Sequence, residues 1–417
     1  MTKKISALRG MFDILPDEVV KWRQVEAAAR GLFSQYGYEE IRTPIMEETR
    51  LFARSIGEGT DIVEKQMYCF KDRGERDVSL RPEGTAPVVR AYLEHGLGKV
   101  SPVTKLYYIG PMFRSERPQS GRNRQFHQIG VEVIGSGSAF VDAEIIGLMM
   151  KLLGLSGLTH AELSVNSLGC AADKAEFEKI LKKALAPEMN RLCPDCVRRS
   201  KVNILRVFDC KNESCRRVLR AAPTILDSVC PPCRQHFESV KSALGSIGIT
   251  YTVMPFLVRG LDYYTGTVFE VTHKNLGSQD AVGAGGRYDN LIAQIGGEST
   301  SACGFAVGVE RILLAARDLP PGAGDRPDLF IIGLGDQAGQ WAFKTLTELR
   351  DKGISCQMGF EGKSLKSQMR FADKIRAKRV LIVGEDELKS QKAILRDMDS
   401  KQQREVGIRD VANTQLW

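Results

Sequence analysis

One hairpin constrains this chain more than any other stretch. From Lys105 it reads Lys-Leu-Tyr-Tyr-Ile-Gly-Pro-Met-Phe, and after an arginine-rich loop it returns as Gln-Phe-His-Gln-Ile-Gly-Val-Glu-Val-Ile, ending at Ile134. Apolar or aromatic residues alternate with polar ones on both arms, as a half-buried antiparallel hairpin requires. The spacing predicts a strand over 105–113, a loop over 115–124 and a returning strand over 125–134. The loop and its edges carry Arg114, Arg117, Arg122 and Arg124 against one acid, Glu116. Guanidinium groups stay charged and meet phosphate oxygens two at a time, so a triphosphate or a nucleic-acid end is the natural partner. Charge runs also occur as solvated turns, and the loop by itself leaves both readings open. Gln128 and Glu132, at alternate positions of the returning arm, collect on one sheet face with Arg114. Polar groups gathered on a sheet face suggest a site.

The 417 residues leave room for two or three domains. No apolar run approaches the ~20 residues that span a bilayer, and the opening Met-Thr-Lys-Lys-Ile-Ser has no apolar stretch behind its lysines. A cytoplasmic protein without membrane attachment is expected. The formal charge of +8 favours a polyanionic partner only mildly at this length. Six of the ten cysteines fall between Cys193 and Cys233, and in a reducing compartment such clustering suggests metal before disulfide.

Pro16-Asp17 opens a helix to about Tyr36, with Trp22, Val25, Ala29, Leu32 and Phe33 at helical spacing. Residues 37–44 then read as a turn and a strand closed by Pro44, at a sheet edge or an interface. Arg81-Pro-Glu-Gly-Thr85 joins a strand to a helix; Thr85 stands where a cap would, and Glu83 on the tight turn can hold a ligand ammonium. A helix over 140–153 and a strand over 161–168 follow. Between Gly169 and Arg234 the chain has 14 Lys/Arg and 8 Asp/Glu, together with Cys193-x2-Cys196, Cys210, Cys215 and Cys230-x2-Cys233. These are more thiols than the four that tetrahedral zinc takes; the two knuckles, Cys193, Cys196, Cys230 and Cys233, are the expected ligands, with free buried thiols as the other reading. A strand is expected over 250–258, a pocket-lining loop around Tyr263-Tyr264, a glycine-rich turn over 284–289, and strand-glycine-helix over 304–314. Residues 319–327 read as a linker. Beyond it, alternating strands and helices predict a small α/β domain with a largely parallel sheet, and seven basic residues between Lys363 and Arg379 oppose one acid, Asp373.

The pattern Phe113-Arg-Ser-Glu116, a variable loop, then Arg122-x3-Phe126 resembles motif 2 of class II aminoacyl-tRNA synthetases. Arg124-Gln-Phe-His-Gln128 with Glu132, Arg81-Pro-Glu-Gly-Thr85, Arg259-Gly-Leu-Asp-Tyr-Tyr264 and Ala284-Gly-Gly-Arg-Tyr-Asp289 resemble the histidyl-tRNA synthetases in particular. The segment before Pro44 is similar to motif 1, and Gly304–Leu314 to motif 3. The resemblance covers nearly the full length. It implies an α+β fold: a class II catalytic domain with an antiparallel sheet flanked by helices (1–168 and 235–322), a helical, Cys-rich insertion (169–234) and a C-terminal α/β anticodon-binding domain (323–417). It also implies a homodimer built through motif 1.

The implied activity joins histidine to ATP as an adenylate, releases pyrophosphate with Mg2+ on the phosphates, and passes histidine to the 3′ end of tRNA(His). Arg259 and Arg114 would be catalytic. Glu83, Thr85, Arg114, Gln128, Glu132, Arg259, Tyr263 and Tyr264 would hold histidine, with Glu132 and Tyr264 on the imidazole. Arg114, Glu116, Arg122, Phe126 and Arg311 would hold ATP, and Gln119 and Arg124 would meet tRNA. The alternative is the non-catalytic relative that regulates ATP phosphoribosyltransferase in histidine synthesis; that relative usually lacks the C-terminal domain and parts of the Arg259–Tyr264 peptide, which this chain keeps.

Overall fold

The computed structural model describes residues 5–57, 59–316, 326–359 and 363–412. The chain forms two compact units, 1–320 and 321–417. Most of the expected linker, and the 322/323 boundary, lie outside the described residues.

In the first unit an eight-stranded sheet runs, edge to edge, Glu39–Glu40, Thr104–Phe113, Gln125–Ile134, Ala302–Gly308, Ala281–Arg287, Thr265–Thr272, Glu162–Ser167 and Thr252–Val253. Only the two outermost pairings are parallel. The hairpin is its spine, with Tyr108 opposite Gly130 and Gly110 opposite Gln128. Because side chains alternate between faces, Ile129, Val131 and Val133 turn to one side. There they pack with helices Pro16–Gln35, Ala139–Leu155 and Pro231–Ser246 into the largest core. Phe126, Gln128 and Glu132 turn to the other side. One face is therefore core, and the other is left for chemistry.

Residues 37–44 yield only a two-residue edge strand. The strand expected over 250–258 is likewise shorter, Thr252–Val253. The amide of Asn166 donates to the carbonyls of Pro255 (3.1 Å) and Leu257 (2.9 Å), which holds the following segment as a loop. The glycine-rich stretch expected as a turn is instead the strand Ala281–Arg287. Its glycines serve close approach: a Cβ at Gly285 would lie 2.2 Å from the Gly304 carbonyl, and one at Gly283 would lie 2.4 Å from Val307.

The cysteine-rich region is helical as expected, with helices Ala171–Leu185, Pro194–Val202 and Glu213–Leu219. Its core residues Leu205, Val207, Cys196, Cys210 and Cys215 belong to one apolar cluster with Tyr263, Tyr264 and Tyr288. The insertion thus shares its interior with the aromatic wall of the sheet.

The second unit has a five-stranded sheet in the order Cys356–Met358, Leu329–Leu334, Arg379–Gly384, Lys392–Asp397, Gln403–Gly407. The first three strands are parallel and the last two antiparallel, so the sheet is mixed and not largely parallel. Helix Asp336–Asp351 packs on one face and Leu365–Lys374 on the other.

Candidate active site

The polar face of the sheet holds two buried carboxylates. Glu132 is 1% exposed and accepts hydrogen bonds from the hydroxyls of Thr85 (2.7 Å) and Tyr288. Burial pushes its pKa up to about 8 against those two donors. Glu83 accepts the backbone N–H groups of Thr85 (2.7 Å) and Ala86 (2.9 Å), the first amides of helix Thr85–Glu94. Burial pushes Glu83 up as well, while those amides pull it down. Glu83 therefore closes the helix start, and Thr85, which stands at the expected cap position, turns its hydroxyl to Glu132 instead. The ring of Tyr108 fills the space beside Gly84 and Gly130: a Cβ at either glycine would come within 2.3 Å of it.

Cations ring this acidic floor. Arg114 donates from Nε to the Pro82 carbonyl (2.9 Å) and lies 5.2 Å from the centroid of the Phe126 ring. Arg259 pairs with Glu270 on strand Thr265–Thr272. Arg311, in the first turn of helix Val309–Ala315, donates to the carbonyls of Gly121 (Nε, 3.0 Å) and Ala281, joining the loop tip to the sheet. Burial pulls the Arg114 and Arg311 guanidinium groups down from their usual range, and neighbouring Arg122 adds to the effect on Arg311. Cations that are partly desolvated and crowded by like charge gain more from an incoming anion.

One cavity of 1440 Å³ collects these groups. Glu83, Thr85, Arg114, Glu116, Arg122, Phe126, Gln128, Arg259, Tyr263, Tyr264 and Arg311 all line it. Gln128 presents an Oε1 that has no hydrogen-bond partner among the described residues. Arg122 is paired with Glu116 at 3.1 Å. Three expected residues lie elsewhere. Glu132 is one layer beneath the lining, where the hydroxyls of the lining residues Thr85 and Tyr288 donate to its carboxylate. Gln119 sits exposed on the loop turn, where its backbone and that of Arg122 exchange hydrogen bonds of 3.1 and 2.8 Å across Ser120-Gly121. Arg124 donates to the carbonyls of Glu116 and Arg9, both at 3.4 Å, and its own N–H bonds the Gly10 carbonyl.

The sequence reading missed Tyr108, Glu270 and Tyr288 as lining residues, and also Arg199, Arg206 and Arg216 of the insertion. The tyrosines were visible in the motif strings, but a tyrosine on a half-buried strand has the same signature as core. Nothing in the sequence pointed to the inward turn of the insertion arginines.

The expected metal set also divides. Cys193 and Cys196 converge with Cys210 and Cys215, whereas Cys230 and Cys233 converge with Cys170 and Asp173, the ligand atoms of each group lying within 4.8 Å of one another. The two Cys-x2-Cys turns start different helices, Pro194–Val202 and Pro231–Ser246, and their thiols fall in separate groups.

A large cavity with a row of arginines over one half and a buried carboxylate floor under the other suits a nucleotide beside a small zwitterion. A family profile described as "Histidyl-tRNA synthetase" matches residues 10–312, and one described as "Anticodon binding domain" matches 328–414. A curated "Histidine--tRNA ligase" of Syntrophotalea carbinolica is 47% identical over 99% of this chain and 98% of its own length. That of Halothermothrix orenii is 49% identical over 96% of each. The apo S. aureus histidyl-tRNA synthetase superposes with a TM-score of 0.82 at 38% identity, covering 98% of this chain and 99% of its own. With its motifs gathered in one cavity and these relatives spanning both units, the chain belongs to the histidyl-tRNA synthetase family.

Proposed function

We propose that this enzyme is a histidine–tRNA ligase, activating histidine with ATP and transferring it to the 3′ end of tRNA(His). The observation that carries the reading is the single cavity in which Arg114, Arg259 and Arg311 stand over the buried Glu83–Thr85–Glu132 floor. In the first step the histidine carboxylate attacks the α-phosphorus of ATP in line and pyrophosphate leaves. Two anions must be aligned while negative charge shifts to the leaving group, so positioning and fixed cations supply the catalysis. Arg259 and Arg114 hold the carboxylate and the α-phosphate. Arg311, Arg122 and Glu116 hold the rest of the nucleotide, whose adenine stacks on Phe126. Mg2+ bound to the outer phosphates supplies further charge neutralisation.

At the other end, Glu83 and Thr85 receive the ammonium group, and Gln128 offers an acceptor with an open lone pair. Tyr263 and Tyr264 wall the imidazole, which Glu132 meets through Thr85 and Tyr288. A site built to pair both ring nitrogens rejects analogues lacking them by roughly 10⁴–10⁵-fold, so no editing activity is needed. A zinc ion held by the thiolates of the insertion would be structural, because a full set of protein ligands leaves no position open for substrate.

The second unit is the anticodon-binding domain (323–417), and 169–234 is an insertion within the catalytic domain. A homodimer through the motif 1 edge fits the exposed Met46 and Phe70 on the small sheet that follows it and the exposed Ile45 just before that sheet. Among the described residues no helix is long and apolar enough to cross a membrane, in keeping with a cytoplasmic enzyme. The regulatory relative of ATP phosphoribosyltransferase is disfavoured by the retained second unit and the complete Arg259–Tyr264 peptide.

Pyrophosphate exchange into ATP, run without tRNA for each of the twenty amino acids, tests the reading. Exchange with histidine alone is expected. No exchange by folded protein that still binds histidine would favour the regulatory relative.

A further inference from the structure

We infer that the insertion carries two separate structural zinc sites, one inside it and one at its neck.

The inner site is Cys193, Cys196, Cys210 and Cys215. Cys193 caps helix Pro194–Val202, Cys196 lies in its first turn, and Cys215 lies in helix Glu213–Leu219. The Sγ atoms of Cys193 and Cys210 are 3.8 Å apart. A disulfide would need about 2.0 Å, whereas zinc at about 2.3 Å from each sulfur of a tetrahedron spaces the sulfurs about 3.8 Å apart. The backbone N–H of Cys193 also donates to Cys215 Sγ at 3.1 Å, the kind of bond that stabilises a thiolate. Four sulfurs this close leave room for one ion rather than a multi-iron cluster, and four thiolates are a usual ligand set of structural zinc.

The neck site is Cys170, Asp173, Cys230 and Cys233. Here the chain leaves the catalytic sheet after strand Glu162–Ser167 and comes back in helix Pro231–Ser246, which packs on that same sheet. Cys170 and Cys230 each cap a helix, and the two N-termini meet at Asp173, whose carboxylate oxygens accept the amides of Cys170 and Cys230, both at 3.1 Å. A carboxylate has about four lone-pair positions, so these bonds orient Asp173 as a second shell orients a ligand and leave it room to bind an ion. Asp173 and Cys230 are 57 positions apart. An ion there staples the two ends of the insertion together and removes the loop-closure freedom of everything between.

The purpose of such a staple follows from the cavity wall. Arg199, Arg206 and Arg216 of the insertion line the same space as Arg114 and Arg259, and their placement depends on a small region with a modest apolar core. Zinc at the neck fixes that region to the sheet, and zinc inside it fixes its helices to one another.

Metal analysis of the full chain, purified without chelator, is expected to find two zinc ions per chain. Cys215→Ser and Cys233→Ser are each expected to retain one, and the double variant none. Cobalt exchanged into either single variant should keep a sulfur-to-cobalt charge-transfer band from the intact site. Should a variant not fold, thiol titration of the unmodified chain decides: four thiols at one site and three at the other, seven of the ten, should be shielded and become reactive when a chelator strips the metal. One zinc per chain, iron in place of zinc, or seven thiols that react equally before and after chelation would each overturn the assignment.

Discussion

Thr85 donates its hydroxyl hydrogen to Glu132 at 2.7 Å across 47 positions of sequence, joining the start of one helix to the centre of the hairpin. This contact fixes the floor of the half of the cavity proposed for histidine, and it does so around a carboxyl that burial holds protonated up to about pH 8. In the unfolded chain the same carboxyl ionises near its ordinary 4.5. A raised folded pKa contributes stability that is full below the unfolded value and is lost as pH climbs through the folded one. The wild type should therefore lose stability as pH climbs from about 4.5 to about 8, on the order of 2 kcal/mol of it above pH 6, and Glu132→Gln should flatten that slope. Denaturation of the two proteins across this range, without ligand, measures it; parallel slopes would refute the assignment. Histidine binding should also release protons near neutrality, because a ligand cation favours the ionised carboxylate, and calorimetry in buffers of different ionisation enthalpy counts them.

The hairpin and its polar face were legible in sequence because period-two patterning over two ten-residue arms admits one register with Ile129, Val131 and Val133 inward. Glu83, Arg114 and Arg311 were picked out by the resemblance of the motifs that carry them, because a charged residue near a glycine or proline turn serves equally well as a cap or a solvated turn. What stayed hidden depends on tertiary proximity. No spacing tells which thiols meet Cys193 or that Asp173 joins Cys230. Gly283 to Gly286 look like a turn until the neighbouring strand Ala302–Gly308 is in place. Strand Gln403–Gly407 escaped notice because it is an edge, largely exposed, with little alternation to detect.

The Tyr108 ring is wedged between two glycines, so Gly130→Ala should be an overpacking change with a local readout. The added methyl would meet the ring at 2.3 Å, and relief by ring movement should cost about 1–3 kcal/mol. The protein should fold, with KM for histidine raised at least about tenfold in pyrophosphate exchange and KM for ATP little changed. Equal effects on both substrates would show that the ring does not shape the histidine half specifically.

Arg287 and Asp142 form an ion pair whose side chains are 3% and 0% exposed, shared with Asp289 and His236. It joins strand Ala281–Arg287 to helix Ala139–Leu155 behind the site. Removing one partner of a buried pair leaves an uncompensated charge and costs about 3–5 kcal/mol. Arg287→Ala should lower the thermal midpoint markedly. Replacing Arg287 and Asp142 together, by Met and Leu, should recover part of the loss, since the charge left behind, on Asp289, is 37% exposed and not buried. A double variant as unstable as the single one would mean that the hydrogen bond from Arg287 to the Ser136 carbonyl (2.7 Å) carries the stability instead.

Gln119 and Arg122 share one turn and should nevertheless fail at different steps. The turn is locked by their two backbone hydrogen bonds, so substitution of either side chain should leave the loop path intact. Arg122 faces the cavity beside Arg311, whereas Gln119 is exposed and outside it. Arg122→Ala should therefore depress pyrophosphate exchange and aminoacylation together, by about 10²-fold if it meets charge developing in the transition state. Gln119→Ala should leave exchange unchanged and slow transfer to tRNA about fivefold, since a polar contact to the acceptor end is worth roughly 1 kcal/mol. Measuring both reactions on both variants separates activation from transfer. If Gln119→Ala lost exchange and transfer equally, the loop turn would belong to the nucleotide and not to the tRNA.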